Sequence, residues 1–116
     1  VVNFCKKFCD IETIGLGKVM SAGTLMLASG TKGKRKIGKH CRVMIHAVNA
    51  GQVGDIFNLQ NELEQTVNLQ DSYIQAMSSE TNMTKRQIQT LINRKVNVYL
   101  TAEEAIEKGL ADEILE

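Results

Sequence analysis

Apolar residues recur with helical spacing in some segments of the chain and form short unbroken runs in others. The first segment reads as helical, because Val1, Phe4, Cys5 and Phe8 follow the i, i+3, i+4, i+7 pattern. Glycines interrupt or end several runs and so mark element boundaries. In chain order, the pattern predicts a helix over residues 1–9, a buried strand over 11–19, a helix over 21–28, strands over 34–37 and 41–47 around a turn, a loop over 49–54, helices over 55–79, 85–93 and 102–108, and a strand or tail over 110–115.

The longest apolar stripe predicts a single helix over residues 55–79. At about 1.5 Å per residue this helix extends for roughly 40 Å, more than a compact domain of this size needs. Its other faces carry amides rather than charges. We therefore expect the helix to project and to pack against another subunit. The stripe consists of Ile56, Leu59, Leu63, Val67, Ile74 and Met77.

Capping residues mark where three helices begin. Asp55 is expected to cap the long helix. Thr84 with Gln87, and Thr101 with Glu104, form the S/T-x-x-E/Q pattern of a capping box. Strands that alternate with helices indicate an α/β fold, and we expect parallel strand pairing.

Composition narrows the class of protein. The 116 residues suit one domain, and a net charge of +1 with 43% hydrophobic residues excludes a disordered or strongly basic chain. No apolar run approaches the roughly 18 residues of a membrane span, and the first residues show no signal-peptide pattern. Three cysteines argue against a disulfide framework and for a reducing compartment. Few aromatics argue against a platform for single-stranded nucleic acid.

Two residues at predicted strand ends could carry chemistry. Ser21 stands where a strand gives way to a helix, so it can lie at the sheet edge beside the free N–H groups of the first helical turn. From the residues alone, the preferred interpretation is that Ser21 is simply the helix cap. His46 closes an apolar strand and could act as the general base of such a serine, but for a lone histidine a structural core role is the preferred interpretation. No aspartate is clearly placed to serve as the third group of a catalytic triad, which would orient the imidazole.

Other polar clusters are weaker candidates. A basic cluster between residues 32 and 42 could meet phosphates, but a solvated hairpin is the preferred interpretation. Cys5, Cys9, His40 and Cys41 offer four potential metal ligands, yet their spacing favours buried free thiols. We therefore predict no metal site and no cofactor. The basic cluster consists of Lys32, Lys34, Arg35, Lys36, Lys39 and Arg42.

Three sequence blocks carry a family resemblance. They are Gly17-x-x-x-Ser21-x-Gly23 with the following Ala28-Ser29-Gly30-Thr31-Lys32-Gly33-Lys34-Arg35, then Arg42-Val43-Met44-Ile45-His46, and finally Tyr99-Leu100-Thr101-Ala102-Glu103-Glu104-Ala105 with Gly109-Leu110-Ala111-Asp112. In this order, and with 25 residues between serine and histidine, they resemble ClpP, the family of proteolytic subunits of the Clp protease.

The resemblance implies a serine endopeptidase site. Ser21 becomes the nucleophile, His46 the general base, and the backbone N–H of Ala22 one oxyanion donor. The family's acid position falls on Asn97, two residues before Tyr99. An asparagine can accept a hydrogen bond from the imidazole but supplies no charge, so we expect reduced activity.

The resemblance also implies fold, assembly and partners. It predicts ClpP/crotonase-like stacked β-α-β units, with residues 55–79 as a handle helix that joins two heptameric rings into a tetradecamer. The expected partners are an AAA+ unfoldase such as ClpX or ClpA and polypeptide substrates, with no nucleic acid and no membrane. Residues 1–116 match the C-terminal part of the family's single domain, so an N-terminal portion is expected to be missing. The expected location is the cytoplasm, with a viral host's cytoplasm or an organelle stroma as alternatives.

Three other functions stay open at this point. The first is a phage-type relative that processes capsid or scaffold proteins. The second is a catalytically weak ring subunit with a structural role. The third is a crotonase-like acyl-CoA enzyme, which would need carboxylates at the site rather than this serine–histidine spacing.

Overall fold

The computed structural model describes residues 1–46, 54–94 and 98–116 of the chain. Helices and strands alternate through these ranges, which confirms the predicted α/β class. The predicted loop over 49–54 and the end of the strand predicted over 41–47 fall largely outside the described residues. The elements are α1 (Val2–Cys5), β1 (Thr13–Gly15), β2 (Lys18–Met20), α2 (Ala22–Ala28), β3 (Arg35–Gly38), β4 (Arg42–Ile45), α3 (Ile56–Glu80), α4 (Lys85–Ile92), β5 (Val98–Leu100), α5 (Ala102–Glu107) and β6 (Glu113–Leu115).

The described strands form two three-stranded sheets. The first has the order β1-β3-β6 and is parallel throughout. In the second, of order β2-β4-β5, β2 and β4 are parallel and β4 and β5 are antiparallel. The first four strands, β1 to β4, therefore alternate between the sheets, whereas β4 and β5 are neighbours in the second sheet. Parallel pairing is confirmed for three of the four strand pairs in the described ranges.

Three sequence predictions are wrong in detail. The strand expected over 11–19 is two strands, because the chain crosses between sheets at a turn where Gly17 has φ +68°. The hairpin expected around Gly38 is absent from the described strands, since β3 and β4 each pair in a different sheet. The first helix ends at Cys5 instead of residue 9, and Phe4 and Phe8 on its apolar stripe are exposed to solvent.

The long helix is confirmed almost to the residue. Asp55 caps α3 by accepting a 3.0 Å hydrogen bond from the backbone N–H of Asn58. In the C-terminal half of α3, Ile74 and Met77 are buried in the core. The stripe residues of the N-terminal half are exposed instead, and they are Ile56, Leu59, Leu63 and Val67. Within the described ranges, no helix combines the length and apolar character needed to cross a membrane.

Both predicted capping boxes are present. The Thr84 hydroxyl accepts from the N–H of Gln87, and the Gln87 side chain accepts from the N–H of Thr84. The same reciprocal pair joins Thr101 and Glu104 at the start of α5. These contacts fix two helix starts from local sequence alone.

A buried arginine joins the C-terminal ends of three helices. Arg35 in β3 is only 3% exposed. Its Nη1 donates to the carbonyl oxygens of Ala28 at 3.1 Å, Glu80 at 2.8 Å and Gly109 at 2.8 Å. Ala28 and Glu80 end α2 and α3, and Gly109 lies just beyond α5. Because carbonyls at helix C-termini carry partial negative charge, one guanidinium stabilises all three ends.

Asp112 provides the countercharge for this arginine. Its carboxylate accepts from Arg35 Nε at 2.8 Å and from Nη2 at 2.7 Å, and from the backbone N–H of Gly33 at 2.7 Å. The hydrogen bond from Arg35 is the main cause that lowers the pKa of Asp112 to about 2. The predicted solvated hairpin is therefore wrong for Arg35, although Lys39 and Arg42 of the same cluster are exposed.

We expect Asp112→Asn to lower the free energy of unfolding at pH 7 by about 3 kcal/mol, because a buried guanidinium loses its partner charge. The pKa of Asp112 is lower in the folded chain than its ordinary value of 3.8, so its stabilisation is complete above that value and is lost as the pH falls towards 2. In urea unfolding, the difference in unfolding free energy between wild type and variant should therefore be smaller at pH 3 than at pH 7, by roughly 1 kcal/mol.

The matched control is Asp10→Asn. Asp10 lies 3.9 Å from Lys34, and both side chains are largely exposed. This change should lower the free energy of unfolding by less than about 1 kcal/mol. If the difference in unfolding free energy between wild type and Asp112→Asn is the same at both pH values, the assigned charge pair is contradicted.

Candidate active site

Ser21 occupies a strained turn between β2 and α2. Its backbone has φ +53° and ψ −117°, and it is the one non-glycine residue with positive φ in the described part of the chain. Such a conformation costs on the order of 1–3 kcal/mol. Ser21 stands at the N-cap position of α2, but its side chain makes no capping hydrogen bond. The interpretation of Ser21 as simply a helix cap is therefore wrong.

The hydroxyl of Ser21 instead meets the side chain of His46. Its Oγ is hydrogen-bonded to His46 Nε2. The sheet explains the meeting, because β2 and β4 are parallel neighbours in which Met20 pairs with Met44. Ser21 and His46 follow these paired residues and so emerge at the same sheet edge. The two side chains that the sequence singled out are thus brought together.

Main-chain and side-chain contacts hold the turn in place. The N–H of Ser21 donates to the carbonyl of Met44 at 3.2 Å. The fully buried Thr24 donates its hydroxyl to the same carbonyl at 3.1 Å. The carbonyl of Ser21 accepts from the N–H of Thr24 at 3.1 Å and from the Tyr73 hydroxyl at 3.0 Å.

Sequence reasoning missed both Thr24 and Tyr73. Thr24 is a polar residue within an otherwise apolar short helix, and Tyr73 lies one turn before the buried Met77. These positions are weak signals, since the Thr24 contact forms only once α2 packs on β4, and the Tyr73 contact only once α3 packs on α2. Burial raises the pKa of Tyr73 to about 12, and its hydroxyl is therefore protonated and able to donate at neutral pH.

An apolar cleft of about 570 Å³ adjoins the turn. Met20 and Gly23, on either side of Ser21, both line it. The other walls come mainly from β1, β2 and α2, and include the exposed side chains of Ile14, Leu16 and Met26.

The remaining predicted site residues are less defined. Ala22 is the first residue of α2, so its N–H belongs to the helical turn whose amides lack intrahelical partners. Asn97 lies outside the described residues, and its role stays a prediction.

The cysteines do not form the metal site considered from the sequence. Cys41 is buried, and burial raises the pKa of its thiol. Cys9 is exposed and Cys5 half-buried, so the expectation of buried thiols holds only for Cys41. Over residues 1–46, 54–94 and 98–116, no three His, Cys, Asp or Glu side chains are grouped to hold a metal ion.

Comparison with known proteins places this chain in a family of proteases. All of residues 1–116 match the model of the Clp protease family. The chain is 35% identical over 107 residues to the ATP-dependent Clp protease proteolytic subunit 2 of Corynebacterium glutamicum, and 31% identical over 106 residues to the protein of that name from Thermobifida fusca. The chain belongs to the Clp protease family, as its sequence blocks predicted.

The aligned regions differ in how much of each protein they cover. They include 92% and 91% of this chain but 52% and 51% of the two relatives. The chain therefore spans about half the length of the curated relatives it matches.

The strain at Ser21 can be measured with paired substitutions. Ser21→Gly and Ser21→Ala both remove the hydroxyl, but only glycine adopts φ +53° without strain. We expect the glycine variant to be more stable by about 1 kcal/mol in urea unfolding. At Ser29, where φ is −78°, the order should reverse, with alanine the more stable. The same order at both positions would contradict the strained turn.

Proposed function

We propose that this chain carries the nucleophile and base of a serine endopeptidase subunit of the Clp type, which cleaves unfolded polypeptides. The observation that supports the proposal most directly is the hydrogen bond between Ser21 and His46 at one sheet edge. Family membership supports the same reaction class. The apolar cleft beside Ser21 is suited to an extended substrate with apolar side chains.

The proposed reaction is acyl transfer in two stages. As Ser21 Oγ attacks the scissile carbonyl carbon, His46 Nε2 takes the hydroxyl proton. His46 then gives this proton to the leaving amine, which leaves an acyl-enzyme ester on Ser21. A water molecule then gives a proton to His46 and attacks the ester carbonyl. The ester bond to Ser21 Oγ breaks, His46 returns the proton to that oxygen, and the second product leaves as a carboxylic acid.

Two further groups complete the proposed site. The N–H of Ala22 would donate to the oxyanion of the tetrahedral intermediate, with support from the N-terminal end of α2. Asn97 would accept from the second ring nitrogen of His46 and so orient the imidazole. Without a carboxylate the imidazolium is less stabilised, so a lower rate than that of an aspartate-containing site is part of the proposal.

The proposal extends to assembly and partners. The relatives are named as proteolytic subunits of an ATP-dependent protease, and we infer that this chain works in the same way, with an AAA+ unfoldase that feeds it polypeptides. The exposed apolar stripe on the N-terminal half of α3 supports contact with another subunit. We assign to it the joining of two rings.

Replacing the nucleophile tests the reaction. In the full-length protein, Ser21→Ala should remove essentially all hydrolysis of a fluorogenic peptide, and all labelling by a serine-reactive phosphonate, because no other group would form the acyl ester. Ser79→Ala removes an exposed serine of α3 and should leave both unchanged. Hydrolysis that persists in the Ser21→Ala variant would contradict the assignment of Ser21 as the nucleophile.

A charge on the stripe of α3 tests the assembly. Leu63, 65% exposed, lies in the middle of the stripe. If it packs on a subunit of the second ring, Leu63→Glu should split the particle into halves in sedimentation at micromolar concentration, because a buried unpaired carboxylate is costly. Gln65→Glu adds the same charge on the opposite face and should leave the particle intact. Equal particle sizes for the two variants would argue against the stripe as the ring contact.

A further inference from the structure

The hydroxyl of Tyr73 contacts the main chain of the proposed nucleophile. It donates a 3.0 Å hydrogen bond to the backbone carbonyl oxygen of Ser21, 52 residues earlier in the chain. Tyr73 lies in the C-terminal half of α3, where Ile74 and Met77 anchor the helix in the core. The contact therefore ties a firmly packed part of α3 to the strained turn between β2 and α2.

The bond to the Ser21 carbonyl also fixes the neighbouring amide. The carbonyl of Ser21 and the N–H of Ala22 belong to one planar peptide group. In a trans peptide the two bonds point in opposite directions, so a donor that holds the oxygen also sets the direction of the N–H. The N–H of Thr24 holds the same oxygen at 3.1 Å, but it belongs to the first turn of α2 itself. Tyr73 adds a donor from a separate element.

A hydrogen bond to the carbonyl has an electronic effect as well. It polarises the peptide group and makes the N–H on its other side a stronger donor. We propose that Tyr73 is a positioning residue for acyl transfer, which orients and polarises the Ala22 N–H towards the oxyanion of the tetrahedral intermediate. This inference rests on the proposed function, since it requires nucleophilic attack by Ser21.

The half-buried surroundings of Tyr73 suit this role. Burial raises the pKa of its phenol to about 12, so the hydroxyl keeps its proton and donates at neutral pH. The hydroxyl of Tyr73 is directed at a backbone oxygen, so its effect should appear in transition-state stabilisation.

Tyr73→Phe tests the proposal, because it removes the hydroxyl and keeps the ring. In the full-length protein, kcat is measured per active site, titrated with a serine-reactive phosphonate. Loss of a direct oxyanion donor lowers kcat by about 10²–10³, so weakening such a donor should lower kcat by about tenfold, with KM within about twofold. A peptide boronate, which forms a tetrahedral adduct with serine, should lose affinity by the same factor as kcat.

Two companion variants make each outcome decisive. Tyr99→Phe removes the hydroxyl of an exposed tyrosine in β5 and should change neither kcat nor boronate affinity. Ser21→Ala separates the two hypotheses: if it abolishes hydrolysis while Tyr73→Phe retains wild-type kcat and boronate affinity, only the inference about Tyr73 fails. If Tyr73→Phe lowers only the number of titratable sites or the Tm, its role is structural and the proposal is overturned.

Discussion

The buried guanidinium of Arg35 is the contact on which the rest of the molecule depends. It holds the last carbonyls of α2 and α3 and the carbonyl of Gly109 beyond α5, and Asp112 balances its charge. Fixing the C-terminal end of α2 also fixes where its N-terminal end presents the turn at Ser21. Fixing the C-terminal end of α3 also fixes the position along that helix axis at which Tyr73 contacts the turn. A single cation thus controls the alignment of elements that lie far apart in sequence.

The turn at Ser21 combines strain with several independent hydrogen bonds that hold it in place. Ser21 adopts a backbone conformation that its side chain disfavours, and the turn persists because β4, α2 and α3 each contribute a hydrogen bond to it. The strained geometry frees the hydroxyl from helix capping and directs it at His46. The surrounding elements therefore supply the stability that the strained turn lacks.

Local signals predicted helices well and sheet pairing poorly. The capping boxes of α4 and α5 and the cap of α3 each involve residues that are close in sequence. The first residues of these three helices were therefore predictable. The partition of β1 to β4 between two sheets depends on distant partners, which no short pattern encodes. Ser21 and His46 could be found from strand ends and spacing, whereas Tyr73 contributes through a contact that only folding creates. Arg35 was misjudged because a run of lysines and arginines usually indicates a solvated face.

The uneven burial of α3 has a thermodynamic consequence. Near Ile74 and Met77 the helix is part of the cooperative core, but its first turns present apolar side chains to water and receive little tertiary support. Helical segments of this length are marginal in water without packing. In a dissociated subunit the N-terminal half of α3 would therefore unwind at a lower free energy than the core. If the stripe joins two subunits as proposed, subunit association and helix formation are one linked equilibrium, and dilution alone would shorten the helix.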